Sequence, residues 1–283
     1  MSKTSSYTIF KQGSTTFFTA SLFFPKQIRK DVFSLYAFVR VFDDFVDNIP
    51  QQSEEYFNLK NEYLEKLTSG DSSKTVNQHS NFELSLVVDD FIELQRKCHF
   101  EQSWVDSFFE SMEMDLQKTD YLTIQETEKY MYGSAEVIGL MMSKILKLSP
   151  ESFEYAQKLG KAFQFMNMIR DVAEDVSFGR KYLPTEDLTT FGLQSLSEQD
   201  AVEHPEQFKK FINFQISRYR KWREEAEQGF KYIPRQYLIP IKAAVEMFDY
   251  TIDEVQKDPL QIWKKKIKPT KLRAILTTLK QFI

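Results

Sequence analysis

Leu, Met and Phe, interleaved with Lys, Glu and Gln, fill long stretches of this chain at helical spacing. No run alternates with the two-residue period of a strand. The pattern predicts helices at 26–48, 53–68, 81–97, 103–117, 124–148, 150–174, 203–232 and 234–257, with a last one after Pro269. Ser149 followed by Pro150 marks the break between the fifth and sixth of these, because proline suits a first helical turn. The polar run at 69–81 reads as a surface loop, and the stretch VSFGRKYLPTEDLTTFGL as a second one. The fold class expected is all-α.

Composition narrows this picture. With 283 residues and 42% hydrophobic content the chain can bury a sizeable core, and one all-α domain over 1–283 is the expectation. A formal charge of -4 argues against a nucleic-acid partner, whose basic footprint is missing. The single Cys98 excludes an internal disulfide and fits a reducing compartment. The N-terminal residues have no apolar core like that of a secretory signal, so a cytoplasmic location is expected. The basic run WKKKIKPTKLR reads as a solvated face, or else as a contact with an anionic membrane surface. His79, His99 and His204 are too scattered for a zinc site.

Chemistry enters with two acidic rows. In YAFVRVFDDFVDN, the residues Tyr36, Arg40, Asp43 and Asp47 fall within roughly 60° of one helix face at about 100° per residue. In QFMNMIRDVAED, the residues Gln164, Asn167, Asp171 and Asp175 share an arc of roughly 80°. Acids one turn apart on a helix often form a solvated face, but Phe42, Phe45 and Val46 surround the first row, and Met166, Met168, Ile169 and Val172 the second. Buried carboxylates favour a shared cation or an arginine partner. Mg²⁺ binds through one or two carboxylates plus substrate phosphates, so opposed acidic helices can hold several ions by way of a diphosphate. Arg40, Arg170, Arg180 and Lys181 are candidate phosphate donors. An allylic diphosphate polarised there would leave a carbocation that needs a dry apolar wall, for which Gly133 to Met142 and a set of phenylalanines are candidates. Asp89 and Asp90 lack such a row and read as surface pairing, and Asp115 as a structural residue or a support for the site.

These segments resemble the head-to-head prenyl synthases, the squalene and phytoene synthase family. The resemblance runs through GSTTFFTASLFFP, LYAFVRVFDDFVDN, MDLQKTDYLTIQETEKYMYGSAEVIGLMM and LGKAFQFMNMIRDVAEDVSFGRKYLP. It implies an isoprenoid-synthase bundle around a central cavity, with Asp43, Asp47, Asp171 and Asp175, helped by Asn167, binding Mg²⁺. It also implies that Tyr36, Arg40, Gln164, Arg170 and Tyr182 contact the diphosphates or reacting carbons, as do Ser14 and Thr16 near the N-terminus. Tyr130, Ser134, Ala135, Ile138 and Gly139 match the cavity wall, to which Phe17 and Ser21 add candidates. Three features depart from the family pattern: Leu260 replaces a tyrosine, Gly133 and Ser134 replace larger or more apolar residues, and Glu136 replaces a glycine.

The activity implied is condensation of two allylic prenyl diphosphates through a cyclopropylcarbinyl diphosphate. Geranylgeranyl diphosphate and phytoene are favoured, as in carotenoid biosynthesis, because the stretches YGSAEVIGLMM and RKYLP resemble the phytoene branch of the family more nearly, and small Ser21 would leave room for a longer chain. The alternative is squalene, dehydrosqualene or presqualene diphosphate from farnesyl diphosphate. NADPH would be needed only for squalene, and no Gly-rich dinucleotide fingerprint occurs. A terpene cyclase and a non-catalytic helical scaffold are the readings from other classes.

Overall fold

A computed structural model describes residues 5–69 and 82–270, together with 273, 276, 277 and 280. The predicted loop at 69–81 and the last predicted helix lie almost wholly outside the described residues. Two short helices not expected from the pattern open the chain, α1 (Ser5–Gly13) and α2 (Thr15–Ser21). The long α3 (Lys26–Asp47) follows, then α4 (Ser53–Ser69), α5 (Phe82–Cys98) and α6 (Gln102–Gln117), each within two residues of its predicted bounds. The predicted helix at 124–148 is interrupted. It forms α7 (Ile124–Met131), a π-turn at Tyr132–Glu136, and α8 (Val137–Ile145). Next come α9 (Phe153–Arg170), α10 (Val172–Ser177), the short α11 (Thr185–Thr190) and α12 (Glu198–Glu203), and the long α13 (Pro205–Glu227) and α14 (Arg235–Lys257). Among the described residues there is no strand, only an isolated bridge between Asp120 and Lys181.

The helices bury their apolar faces in two main clusters. One joins α3, α4, α5, α6 and α8 and is rich in rings, with Phe38 stacked on Phe91 at 3.6 Å between centroids. The other joins α7, α9, α13, α14 and the chain around Tyr182 to Ala201. Phe17 on α2 packs against both. Because α3 belongs to the first cluster and α9 to the second, the seam between them brings the two acid-bearing helices together.

The family departures have local causes. A side-chain carbon on Gly133 would lie 1.9 Å from the Ser107 carbonyl oxygen, so the π-turn packs on α6 only with glycine there. Glu136 is buried yet paired with Lys161 at 3.1 Å, which ties the start of α8 to α9. No helix among the described residues is long and apolar enough to cross a membrane.

Candidate active site

The seam encloses a cavity of about 540 Å³. From α3 it receives Val32, Leu35, Tyr36, Val39, Arg40 and Asp43, and from α9 Phe163, Gln164, Asn167 and Arg170. Tyr36, Arg40 and Asp43 of the first row and Gln164 and Asn167 of the second thus border one space. Asp47, Asp171 and Asp175 do not line the cavity itself; they continue the two rows past its polar end.

The second row bends. Asp171 has left helical geometry at φ -97°, ψ 13°, so α9 ends at Arg170 and α10 begins at Val172. The Asp175 amide still donates to the Asp171 carbonyl at 2.8 Å, which keeps the row nearly continuous through the kink.

Charge is unevenly compensated. Arg40 Nη1 donates to Asp43 Oδ2 at 3.0 Å and Nη2 to Asp44 Oδ1 at 2.5 Å. Burial, then the Asp47 charge, pushes the Asp43 carboxyl up to about 8 against the pull of Arg40. Asp175 is raised well above the carboxylate range by burial, then by Asp171, Asp47 and Glu174. Asp47 on α3 thus acts on both rows, the electrostatic mark of their opposition. Burial also works against ionised Asp171, but hydrogen bonds from Arg170 and the charges of Arg170 and Lys266 outweigh it and hold this carboxyl low. Lys266 stands 3.3 Å from Asp171 and also pairs with Glu174.

The cations show the opposite surplus. Lys268 lines the cavity with Arg40 and Arg170. Its ammonium is pushed below the lysine range by burial, then by the positive charges of Lys266 and Arg170. Crowded carboxylates beside crowded cations are what a hard divalent cation bound to a phosphate would neutralise together. Among the described residues no three acids, histidines or cysteines gather closely enough to hold an ion alone. That arrangement suits a metal whose shell is completed by water and substrate oxygens.

The apolar wall is assembled from distant segments. Phe17 lies 5.8 Å from Phe163 and 5.2 Å from Phe248, while Phe163 and Phe248 stack at 4.2 Å. Ala135, Ile138 and Gly139 also line it, with Ser134, whose buried hydroxyl has no hydrogen-bond partner. Tyr36 stacks on Phe10 at 3.8 Å, and a side-chain carbon on Gly13 would lie 2.5 Å from its hydroxyl. Ser14 lines the cavity while its Oγ accepts from the Phe17 amide at 3.1 Å, capping α2. The Thr16 side chain lies outside the described residues.

Several predicted residues stand elsewhere. Tyr130 and Tyr182 do not line the cavity. Their hydroxyls donate to the two oxygens of buried Asp115, at 2.8 and 2.6 Å. Arg180 pairs with Asp47 at 2.5 Å and donates to the Val46 carbonyl, and Lys181 pairs with Asp120 at 2.5 Å. The loop after the second acidic row is thus held to α3, α6 and α7 through Arg180 and Tyr182. Leu260 packs into the second core cluster, and Lys268 and Pro269 bring the C-terminal segment to the cavity. Sequence reasoning passed over Lys266 and Lys268 as part of a basic run, and the run itself was the available signal.

An α-helical bundle with opposed acidic rows at one end of an apolar cavity defines the isoprenoid-synthase class of architecture. The squalene/phytoene synthase family model matches residues 10–273, and the chain belongs to that family. It is 25% identical to the 15-cis-phytoene synthase of Synechococcus elongatus over 89% of this chain and 82% of that one. To the 15-cis-phytoene synthase of a Paracoccus species it is 27% identical, over 93% and 85% of the respective chains. Its fold superposes on a dehydrosqualene synthase solved with a ligand at a TM-score of 0.79 and 22% identity, covering 98% of this chain and 94% of that one. The squalene synthase HpnC from Alicyclobacillus acidocaldarius gives a TM-score of 0.75 at 20% identity, covering 89% and 92%.

The raised carboxyls carry a prediction. A group whose carboxyl is pushed up to about 8 holds a proton at pH 7, and cation binding must release it. Titrating Mg²⁺ with inorganic diphosphate into the protein at pH 7 should release about one proton or more per site, read by calorimetry in buffers of different ionisation enthalpy. The release should fall and the apparent affinity should rise as the pH climbs through 8, where Asp43 ionises without metal. Binding with no proton release at pH 7 would mean that the acidic rows do not receive the cation.

Proposed function

We propose that the protein catalyses Mg²⁺-dependent head-to-head condensation of two prenyl diphosphates, with geranylgeranyl diphosphate as substrate and phytoene as product. The observation that carries this reading is the paired surplus of carboxylates and cations at one end of a long apolar cavity. When bound, Mg²⁺ would neutralise the departing diphosphate. Asp43, Asp47, Asp171 and Asp175 would hold it, with Asn167 as a neutral oxygen donor. Arg40, Arg170 and Lys268 grip phosphate oxygens, arginine by its planar fork and lysine as a point charge.

The remaining work falls to the wall. Phe17, Phe163 and Phe248 exclude water from an allylic cation and present aromatic faces to it. The first cation is captured by the 2,3-double bond of the second substrate, and loss of a proton closes the ring of a cyclopropylcarbinyl diphosphate; departure of its diphosphate, rearrangement and loss of a second proton yield phytoene. Curated phytoene synthases matching about nine-tenths of the chain support the choice of product. Farnesyl diphosphate going to squalene, dehydrosqualene or presqualene diphosphate is the second reading, favoured by the fold match to the solved dehydrosqualene and squalene synthases. NADPH belongs only to its squalene branch.

The test is incubation of the pure protein with Mg²⁺ and either farnesyl or geranylgeranyl diphosphate, with and without NADPH, followed by mass analysis of the lipids. Coupled products containing two prenyl chains are expected, and monomeric prenyl alcohols alone would overturn the reading. Chain length has its own test. Ser21 is buried, donates to the Phe18 carbonyl at 2.7 Å, and lines the cavity near Phe24. The α14 residues Pro240 and Ile241 complete the wall there, about 12 Å along the helix from Phe248. Ser21→Phe should overpack this end and lower the efficiency with geranylgeranyl diphosphate relative to farnesyl diphosphate about tenfold. An unchanged ratio in a folded variant removes Ser21 from the chain-length end.

A further inference from the structure

We propose that Lys266 is a resident counter-ion of the second acidic row, one that keeps free metal off Asp171 and moves to the diphosphate when metal and diphosphate arrive together. This rests on the metal and diphosphate chemistry proposed above, but not on the prenyl chain or the product.

Three of the four acids expected to hold the metal are already paired. Asp43 takes Arg40, Asp47 takes Arg180, and Asp171 takes both Arg170 and Lys266. The arginines are built in place. Arg180 is buried and also donates to the Val46 carbonyl and the Tyr182 hydroxyl, while Arg40 is shared between Asp43 and Asp44 on its own helix. Arg170 adjoins Asp171 in the chain and serves both of its oxygens, with Nε 2.8 Å from Oδ1.

Lys266 differs from all three. It comes from the irregular stretch after the turn at Pro259–Trp263, and its ammonium stands 3.3 Å from the same Asp171 oxygen that Arg170 Nε already serves. Asp171 therefore keeps its hydrogen bonds when Lys266 leaves. Glu174 gives the ammonium a second partner, outside the acids expected to bind metal. The backbone beyond Lys266 is fixed, since Ile267 packs into the second core cluster and Pro269 is buried. What moves is the flexible four-carbon stem.

Charge supplies the exchange. A divalent cation on Asp171 and an ammonium beside the same oxygen repel, and the repulsion is stronger than in water because Asp171 is largely buried. Metal alone must evict Lys266 and offers it no new acceptor. Metal carrying a diphosphate brings anionic oxygens beside Arg170 and Lys268, which already border the cavity, and these are acceptors for the displaced ammonium. Each ligand thus strengthens the binding of the other through one lysine.

Calorimetry on the full chain tests this with two titrations, Mg²⁺ alone and inorganic diphosphate at saturating Mg²⁺. Lys266→Met keeps a stem of similar length and removes the charge. It should bind Mg²⁺ alone about three- to tenfold more tightly than wild type, and diphosphate at saturating Mg²⁺ at least about tenfold more weakly. Lys266→Gln should repeat that pair of opposite shifts. Lys264→Met makes the same charge change at an exposed lysine of the same stretch and should leave both constants within about twofold. Weakening in both titrations makes Lys266 a structural tie between the C-terminal stretch and α10 and overturns the proposal. Weaker diphosphate binding with an unchanged Mg²⁺ constant makes it an ordinary phosphate ligand and overturns the proposal equally. A wild type that binds no diphosphate at saturating Mg²⁺ overturns the reading of the site itself, and this inference with it.

Discussion

The double variant Asp43→Asn, Asp171→Asn should lose turnover by at least about three orders of magnitude while its helical content stays at the wild-type level. Asparagine keeps the volume of aspartate, so neither packing nor the course of α3 and α9 changes. What disappears is one ligand charge from each opposed row. Losing a charge group that acts on a developing anion costs about 10²–10³ in rate, and groups acting on one shared ion are not additive. Stability should move the other way. Burial and Asp47 raise the Asp43 carboxyl to about 8, so above that pH the folded state holds an ionised group that it disfavours. Without metal at pH 9, Asp43→Asn should therefore melt no lower than wild type, a site that gives up stability for function. Turnover at saturating Mg²⁺ and thermal melts in chelator read the two effects separately. Substantial activity in the double variant would remove the acidic rows from the mechanism.

The acidic rows could be read from the sequence because they are local objects. Tyr36, Arg40, Asp43 and Asp47 share a face by helical periodicity alone, and the apolar neighbours of each row already indicated that it faces inward. The bend at Asp171 escaped that arithmetic, since one nonhelical residue with an intact hydrogen bond beside it leaves the spacing almost unchanged. The short α1 and α2 also escaped it. Helices of nine and seven residues carry too little periodicity to declare themselves, and they are held by contacts with α3, α14 and the ring cluster around Phe10.

The loop after the second row shows the same limit from the other side. Arg180, Lys181 and Tyr182 follow the metal motif in sequence, which suggests a lid. Their partners Asp47, Asp120 and Asp115 lie between 61 and 133 positions earlier in the chain, and no local pattern announces such pairs. Lys268 is hidden for a similar reason. Only the course of the chain after the turn at Pro259–Trp263 decides which lysine of the basic run borders the cavity.

Asp115 was the least conspicuous of these residues and should be among the costliest to replace. It is 5% exposed and takes hydrogen bonds from Tyr130 and Tyr182, while Arg180 lies close enough for its charge to act on the carboxyl. Arg180 in turn holds Asp47, so one buried carboxylate supports the end of the first acidic row from behind. Burial pushes Asp115 up to about 6, against the Arg180 charge and the two tyrosine donors. Its contribution to stability should thus fall as the pH rises from about 4 to about 6, since the folded state binds the extra proton there. Asp115→Ala leaves two buried tyrosine hydroxyls without their acceptor and removes the charge that faces Arg180, and should cost about 3–5 kcal/mol. Asp115→Asn keeps the shape, should cost about 1–3 kcal/mol, and should remove that pH slope. Tyr182→Phe deletes a single donor and should cost about 1 kcal/mol, with turnover close to wild type, because its hydroxyl is engaged by Asp115 and Arg180 and Tyr182 is not among the residues lining the cavity. Urea unfolding of the single variants and of the double variant Asp115→Asn, Tyr182→Phe gives their coupling, expected at about 0.5–3 kcal/mol. Additive losses, or a collapse of turnover in Tyr182→Phe at wild-type stability, would place the tyrosine hydroxyl at the reacting centre instead of behind it.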